Sequence, residues 1–336
     1  MLLDIIITHW QEPWDVGRKM FEMIRMQRGV RQEDFRVIFV QDGETGEPDL
    51  DRMTRVYPFV QKTVRIPASG VSAARNAGMD ASDAEWIMFC DFDDCFYSLD
   101  SLYRVIQSLK EAGDRADLVY GPFWIDMRKD GAFAKMLRER TWTVIHGKCF
   151  RRQYLTEHGL RFREDLSYSE DTLFCEMFAM DVDPARIAKM PETVYMWCYR
   201  EASLSTYEAG EARRVRSLYR KRQATCEEYE KRDRNYDAWC SATRSIFEYY
   251  FETVGGKRPD GISADEWRGM PKTFLKRWPM AVYNISQADR IKLFEIVENS
   301  AKLKGQYIGE GKPSFSEWVF GLEDEIRREE ASASGH

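Results

Sequence analysis

The sequence is poor in the residues that build metal clusters and disulfide frameworks. Its 336 residues include only four His and seven Cys, and no two Cys stand in a C-x-x-C spacing. An odd Cys count without that spacing argues against a disulfide framework and a zinc ribbon, and predicts reduced thiols. The sequence also lacks any run near the ~20 apolar residues that a membrane-spanning helix needs.

Excess positive charge is absent as well. The chain carries 50 Lys and Arg against 56 Asp and Glu, a formal charge of −6. A net negative chain has no global attraction for nucleic acid, so no nucleic-acid partner is expected. Residues 1–8 have no basic region, and Asp4 interrupts their apolar run, which argues against a signal peptide. We expect a cytoplasmic protein, and peripheral contact with the inner face of the membrane stays open.

The first part of the chain alternates two kinds of apolar pattern. Short β-branched or apolar runs predict strands at residues 2–7, 36–40, 85–90 and 117–120. Helical spacing predicts amphipathic helices at residues 14–28 and 99–109. Strands that alternate with helices indicate an α/β fold with a parallel sheet.

Beyond about residue 207 the strand pattern ends and helical patterns continue. Helices are expected at residues 213–234, 236–254, 291–304 and 314–328, and Ser263 is a predicted N-cap. Length alone favours about two domains. We therefore expect an α/β domain at 1–207 and a helical region at 208–330, which could mediate homo-oligomer contacts. The small polar residues 331–336 are expected to form a disordered tail or a remnant of cloning.

Three carboxylates directly follow the third predicted strand. Asp91, Asp93 and Asp94 lie within four positions of each other. At the carboxyl end of a strand they would face the ligand crevice of an open α/β sheet. Adjacent carboxylates repel one another unless a cation neutralises them, and Mg²⁺ or Mn²⁺ shared with substrate phosphates would do so. The alternative is an acidic turn that caps the next helix.

Two further segments combine small residues with polar ones. Residues 70–78 (GVSAARNAG) allow close backbone approach to a ligand, and Arg75 offers a bidentate fork for phosphate. The alternative is a helix whose small residues pack under the sheet. Asp42 ends the second predicted strand and could accept a hydrogen bond from a base N–H, although Asp-Gly is also a common turn.

An acidic pair opens another predicted helix. Glu170 and Asp171 begin a segment that runs to about residue 180, where acidic residues also favour the helix dipole. A carboxylate here could act as a general base on an acceptor hydroxyl. His146 lies upstream and either lines the acceptor side of the site or is a structural His at a strand end. Cys90 and Cys95 flank the carboxylates and are expected to be small buried apolar residues.

Taken in order, these segments resemble the family 2 glycosyltransferases. The matching runs are residues 5–8 (IIIT), 41–43 (QDG), 70–78 (GVSAARNAG), 86–94 (WIMFCDFDD), 169–171 (SED) and 195–205 (YMWCYREASLS). The resemblance covers about residues 1–207 and leaves the helical remainder out. It implies a GT-A fold, with a donor-binding half at about 1–120 and an acceptor-side half at about 121–207.

The resemblance also implies a reaction and a set of residue roles. Family members use nucleotide-sugar donors, most often UDP-sugars, and invert the anomeric carbon with the help of Mn²⁺ or Mg²⁺. By position, the donor-binding residues are Thr8, Asp42, Gly70, Arg75, Asn76 and Asp91. The metal ligands are Asp93 and Asp94. Asp171 is the base and Glu170 supports it. The transferred group would be a hexosyl or N-acetylhexosaminyl unit, and its acceptor a glycan, a polymer, a lipid-linked sugar or a protein.

The sequence departs from the family pattern in ways that narrow the reaction. One acidic position is missing from the turn at 41–43, and no Gln-x-x-Arg-Trp motif follows Asp171. That motif is typical of processive members, so a single transfer is expected, in glycan or surface-polymer biosynthesis. A metal-dependent nucleotidyltransferase is an alternative, but residues 8–15 lack its Gly-rich basic loop. A catalytically silent sugar-binding or scaffold protein is a further alternative, which the intact carboxylates disfavour.

Overall fold

The computed structural model describes residues 1–44, 50–129, 132–138, 143–200, 211–256, 258–279, 286–303 and 311–334. The chain divides into two compact units, Met1–Tyr207 and Glu208–His336. Each unit has its own cluster of buried apolar side chains. Residues 201–205, which close the last family-like run, lie outside the described residues.

The first unit carries all the described strands. In chain order they are β1 (Leu3–His9), β2 (Phe35–Asp42), β3 (Val60–Ile66), β4 (Trp86–Asp91), β5 (Cys95–Phe96), β6 (Leu118–Tyr120), β7 (Phe123–Lys129), β8 (Ala132–Arg138), β9 (Lys148–Arg151), β10 (Ile187–Lys189) and β11 (Tyr195–Trp197). Its helices are α1 (Trp14–Arg25), α2 (Leu50–Val56), α3 (Val71–Ala81), α4 (Ser101–Ala112), α5 (Arg152–Glu157) and α6 (Glu170–Asp181), with 3₁₀ turns at Gly113–Arg115 and Pro184–Arg186.

The main sheet has the strand order β10-β6-β9-β4-β1-β2-β3 among the described residues. Strands β1 and β2 are buried almost throughout, because helices cover both faces and every position needs an apolar or paired side chain. Buried Asp4 of β1 is paired with Arg36 of β2, at 2.6 Å between Oδ1 and Nε. The four strands predicted from sequence are β1, β2, β4 and β6.

The sheet is not wholly parallel, which corrects the expectation from the sequence. Strands β1, β2, β3 and β4 are parallel neighbours, but β9 runs antiparallel to both β4 and β6. Strand β9 carries buried Lys148 and Arg151. Its sequence therefore lacks the apolar run from which the other strands were predicted. Lys148 donates to the Val144 carbonyl, and Arg151 donates to the Ala116 carbonyl and to Glu85 Oε1 at 3.0 Å.

A smaller sheet lies beside the end of β4. Its order is β5-β11-β7-β8 among the described residues, with β11 antiparallel to β5 and parallel to β7. Tyr195 of β11 is opposite Phe96 of β5 and Phe123 of β7, and all three side chains are buried in the core of the first unit. This sheet therefore brings β11 against the segment that follows β4.

The second unit is helical in its described residues. Its helices are α7 (Glu211–Lys231), α8 (Asn235–Val254), α9 (Ala264–Arg277), α10 (Gln287–Leu303) and α11 (Phe315–Ser334). Their core is rich in aromatic side chains, among them Tyr249, Tyr250 and Phe274. Ser263 caps α9 as predicted, since its hydroxyl accepts the Glu266 N–H at 3.1 Å.

Helix α11 continues past the point where a tail was expected. It remains helical to Ser334, so the expectation of disorder was wrong for residues 331–334. Alternating Ala and Ser extend a helix that its Glu and Arg residues already favour, and the hydroxyls of Ser332 and Ser334 bond to carbonyls four residues earlier. Within the described residues, none of the helices combines the length and the apolar character needed to cross a membrane.

Candidate functional site

The candidate site begins where the parallel strands end. Thr8 near the end of β1 is the register partner of Asp91, the last residue of β4. Asp42 ends the neighbouring strand β2. Carboxyl ends of adjacent parallel strands form the ligand crevice in open α/β sheets, so these three predicted donor-binding residues lie along one edge.

An aromatic anchor fixes the acidic turn that follows β4. Phe92 is buried and its ring centroid lies 4.5 Å from that of His9, with Phe21 and Phe39 each at 6.0 Å. Gly17 of α1 faces the same ring, and a Cβ built there would stand 2.1 Å from it. Phe92 therefore needs a glycine beneath it, and its insertion sets the directions of the carboxylates on either side.

Asp94 is fully buried and is held from β11. The Tyr195 hydroxyl donates to Oδ2 at 2.6 Å, and the Cys198 N–H donates to Oδ1 at 2.8 Å. Burial raises the pKa of Asp94 well above its usual range, the charges of Asp91 and Asp93 raise it further, and the two hydrogen bonds oppose them. A carboxylate in this position is stabilised in its charged form by a cation.

Asp91 and Glu170 are joined by Arg75. The guanidinium donates to Asp91 Oδ1 at 2.8 Å and to Glu170 Oε1 at 2.7 Å, and it is itself buried. Burial would raise the pKa of Asp91, but the charge of Arg75 and the contact with His146 outweigh it and hold that pKa low. The pKa of Glu170 is raised, by burial first, against the opposing charge of Arg75. Arg75, predicted to lie near the uridine or the diphosphate of the donor, connects β4 with the start of α6. Its donor-binding role stays a prediction.

His146 completes a cluster of three side chains. Its Nε2 lies 3.3 Å from Asp91 Oδ2 and 3.7 Å from Asp94 Oδ2, and its ring stacks on Tyr195 at 5.2 Å between centroids. One ligand atom from each of Asp91, Asp94 and His146 lies within 4.8 Å of the others. Two carboxylate oxygens and an imidazole nitrogen fit a divalent cation, which would also relieve the repulsion at Asp94.

Asp93 points away from this cluster. Arg200 donates from Nε to its Oδ2 at 3.0 Å, and the same guanidinium lies 3.6 Å from Glu12. Burial and the charge of Asp91 raise the pKa of Asp93, while Arg200 lowers it. The metal role predicted for Asp93 therefore stays a prediction, and Asp91, predicted only as a donor-binding residue, joins Asp94 instead.

Asp42 and Gly70 form one structural unit. Both oxygens of Asp42 accept main-chain N–H groups, Oδ1 from Ser69 at 2.7 Å and Oδ2 from Gly70 at 2.8 Å. Gly70 precedes α3 with φ of 94°, and no heavy atom would lie within 4 Å of a Cβ built on it. The loop before α3 is thus fixed to the end of β2, and its glycine faces open space where a ligand can approach.

Asn76, also predicted to bind the donor, uses its side-chain amide in hydrogen bonds within the protein. Its Nδ2 donates to the carbonyl of Phe162 at 2.9 Å and its Oδ1 accepts the Phe162 N–H at 2.9 Å. It is buried, and these bonds attach α3 to the segment before α6. Its donor-binding role stays a prediction.

The acidic pair opens α6 as expected. Glu170 is buried against Arg75, whereas Asp171 is half-buried and its Oδ1 accepts the Thr172 N–H at 2.7 Å. Ser169 precedes them in the left-handed region, with φ of 61°, which is uncommon for a residue other than glycine. The strained turn and the Arg75 bond place Asp171 on a rigid first turn.

Several residues of the site were not singled out by sequence reasoning. Asp94 is held by Tyr195 and Cys198, and Asp93 is held by Arg200. The turn that carries both is anchored by the packing of Phe92 on Gly17. Tyr195, Cys198 and Arg200 belong to the family-like run at 195–205, so their position was noted but not their role. Gly17 and Phe92 carried no polar signal, because they act by packing.

Comparison with known proteins places this site in a family. Residues 4–169 match the family model described as glycosyl transferase family 2. Two mycobacterial proteins named PGL/p-HBAD biosynthesis glycosyltransferase, from Mycobacterium bovis and Mycobacterium tuberculosis, are each 31% identical over 142 residues. The match covers 39% of this chain and 54% of each relative, so it spans about half of their length.

Solved structures extend the likeness in fold. The Staphylococcus aureus protein TarS, as residues 1-349 in complex with UDP-GlcNAc, aligns with a TM-score of 0.62 at 17% identity. That alignment covers 93% of this chain and 98% of TarS 1-349. The same segment in complex with UDP gives a TM-score of 0.60. Residues 4–169, which carry strands β1 to β4 of the GT-A sheet and the acidic turn after β4, belong to glycosyl transferase family 2.

Proposed function

We propose that this glycosyltransferase moves a hexosyl or N-acetylhexosaminyl unit from a UDP-sugar to an acceptor hydroxyl, once per encounter and with inversion. The observation that supports it most is the cluster of Asp91, Asp94 and His146 at the end of β4, bridged through Arg75 to the acidic pair of α6. UDP and UDP-GlcNAc are the ligands named for the structurally similar TarS.

The donor end of the reaction needs positive charge. The diphosphate leaves with developing negative charge, which a divalent cation held by Asp91, Asp94 and His146 would stabilise as a Lewis acid. We propose Mn²⁺ or Mg²⁺ for this role. The loop before α3 is fixed to Asp42 through the N–H groups of Ser69 and Gly70, and it gives the donor a preformed edge to lie against.

The acceptor end needs a base. In our proposal Asp171 takes the proton of the attacking hydroxyl while the new bond forms on the face opposite the leaving diphosphate. Inversion requires a single in-line displacement, so no covalent enzyme intermediate is involved. Glu170 is a positioning residue, since its bond to Arg75 ties the first turn of α6 to Asp91.

The acceptor is proposed only as a class. A hydroxyl on a glycan, a polymer, a lipid-linked sugar or a protein would satisfy the chemistry. Glycan or surface-polymer biosynthesis is the pathway class that we propose. The similar mycobacterial proteins are named for PGL/p-HBAD biosynthesis. We also propose that the helical unit contributes to acceptor choice or to homo-oligomer contacts.

A donor titration tests the proposal. UDP-GlcNAc and other nucleotide-sugars are titrated by calorimetry with Mn²⁺, with Mg²⁺ and with EDTA, and hydrolysis and transfer are followed by UDP release. We expect binding and UDP release that require the cation. Pyrophosphate release from a nucleoside triphosphate and a sugar phosphate would instead show a nucleotidyltransferase. Donor binding without turnover across a broad acceptor panel would show a silent sugar-binding protein.

The base is tested by Asp171→Asn. Loss of a general base lowers rates by about 100- to 10,000-fold, so transfer should fall by that factor while donor affinity stays within about twofold. Asp181→Asn is the matched control, because Asp181 is exposed at the other end of the same helix. Transfer retained in Asp171→Asn would reject Asp171 as the base.

A further inference from the structure

Two thiols meet beside the candidate cation site. Cys95 lies in β5 and Cys198 follows β11, its antiparallel neighbour, and their Sγ atoms are 3.7 Å apart. Both side chains are buried, with 6% and 8% of their surface exposed. A disulfide bond is about 2.05 Å long, so the two sulfurs would have to approach by about 1.7 Å to form one.

The same two residues hold Asp94 from both sides. Cys95 is the next residue in the chain, and the main-chain N–H of Cys198 donates to Asp94 Oδ1 at 2.8 Å. Arg200, two positions after Cys198, donates to Asp93. Any main-chain movement that draws the two cysteines together therefore also acts on the groups that fix these carboxylates.

We propose that Cys95 and Cys198 form a reversible disulfide when the protein meets a peroxide, and that this bond withdraws Asp94 from the cluster with Asp91 and His146. The pair then makes the enzyme sensitive to oxidation: active with free thiols, and inhibited with the disulfide. The inhibition rests on the proposed function, whereas the formation of the bond does not.

Hydrogen peroxide is the oxidant in the proposed formation of the disulfide. One sulfur attacks a peroxide oxygen, the O–O bond breaks, and a sulfenic acid forms as one water leaves. The second sulfur attacks that sulfur, the S–S bond forms, and the S–O bond breaks to release a second water. Two electrons pass from the two thiols to the peroxide. A dithiol reductant reverses the change by thiol–disulfide exchange and is itself oxidised.

Geometry predicts a large effect from a small displacement. A misplacement of about 1 Å in a catalytic site can cost about 100-fold in activity. Whatever part of the gap is closed by main-chain movement, and not by rotation of the two side chains, displaces the segments that hold Asp94. We therefore expect Mn²⁺ affinity and UDP-GlcNAc turnover each to fall by about tenfold or more on oxidation, and to return on reduction.

Mass spectrometry detects the bond without any donor. The full-length reduced protein is treated with hydrogen peroxide, quenched with catalase, alkylated and digested with trypsin. The proposal predicts a reducible cross-link between peptides 76–104 and 190–200, the second of which contains Cys198 as its one Cys. Fragmentation then distinguishes Cys95 from Cys90 in the first peptide. Absence of this cross-link overturns the proposal whatever the enzyme transfers.

Binding and activity test the consequence. Mn²⁺ binding is measured by electron paramagnetic resonance, and UDP release from UDP-GlcNAc by a coupled assay, each before oxidation, after it and after dithiothreitol. In Cys95→Ser and in Cys198→Ser, Mn²⁺ affinity and UDP release should be the same before and after peroxide. Cys240→Ser changes a half-buried thiol in the helical unit, and in this variant both quantities should fall on oxidation as they do in the parent. A cross-linked protein with unchanged Mn²⁺ binding overturns the inhibition.

The outcomes separate this proposal from the proposed function. A reduced protein that binds neither Mn²⁺ nor UDP-GlcNAc contradicts the proposed function, and the cross-link still decides whether the thiols pair. Loss of activity that dithiothreitol does not restore, without the cross-link, indicates over-oxidation and overturns the switch. If a serine variant fails to fold, the cross-link and its reversal in the parent protein decide the question.

Discussion

Replacing Tyr195 by Phe should weaken cation binding without disturbing the fold around it. The hydroxyl has two partners: it donates to Asp94 Oδ2 at 2.6 Å and accepts the Asp91 N–H at 3.1 Å. The ring itself is fully buried between Phe96, Phe123 and His146, and phenylalanine preserves that packing. The perturbation is therefore confined to one oxygen atom, which contacts the carboxylate of Asp94 and the main chain of Asp91.

The expected magnitude follows from the bond to Asp94. A hydrogen bond to a charged group contributes about 1.5–3 kcal/mol, and its loss disfavours the ionised carboxylate that a cation requires. Removing a partner of a metal ligand typically costs about 10- to 100-fold in metal affinity. Since tenfold corresponds to about 1.4 kcal/mol, the two estimates agree. We expect Mn²⁺ affinity in Tyr195→Phe to fall by about 10- to 100-fold.

The assay compares Mn²⁺ titrations of the parent and the variant by electron paramagnetic resonance, well below the melting temperature of either. Tyr103→Phe serves as the control, because Tyr103 is 40% exposed on α4 and loses a hydroxyl in the same chemical change. Mn²⁺ affinity of Tyr195→Phe within about twofold of the parent would refute the reasoning that this hydroxyl supports the cation site.

Two further predictions concern stability. Gly17→Ala places a methyl group 2.1 Å from a buried ring, so unfolding free energy should drop by about 1–3 kcal/mol, while Gly269→Ala, with nothing within 4 Å, should not lower the melting temperature. Hydrogen bonds from Lys62 and Arg36 lower the pKa of Asp83 to about 2. Because the folded pKa lies below the unfolded value, this contribution is present above about pH 4 and is lost as pH falls toward 2. Asp83→Asn should flatten the pH dependence of unfolding in that window, and an unchanged profile would contradict it.

The central strands could be predicted because burial leaves them little choice of residue. Strands β1, β2 and β4 each contain a short apolar run, at residues 5–7, 37–40 and 86–90, and burial on both faces of a parallel sheet favours such runs. Strand β9 escaped because it carries two buried charges: Lys148 donates to the Val144 carbonyl, and Arg151 donates to the Ala116 carbonyl and to the Glu85 carboxylate. Sequence periodicity does not record those tertiary contacts.

The acidic segment after β4 could be located from the sequence, but the grouping of its side chains could not. Three Asp after an apolar strand predicted a cation, whereas the directions of their side chains depend on how Phe92 packs against Gly17. That packing sends Asp94 toward Tyr195 and Asp93 toward Arg200. His146 was expected either on the acceptor side or as a structural His at a strand end. Its place beside Asp91 and Asp94 was not predicted, because its ring stacks on Tyr195 of β11, more than 40 residues further along the chain.

The antiparallel strand β9 has a consequence for synthesis of the chain. One edge of β4 is covered by β1, but the other is covered by β9, whose first residue follows the end of β4 by 57 positions. At about 5–20 residues per second, a ribosome would take roughly 3–11 s to supply that partner. During this interval the apolar edge of Trp86–Asp91 is open to pairing with other chains, so aggregation during expression should depend on how fast residues 92–151 are translated.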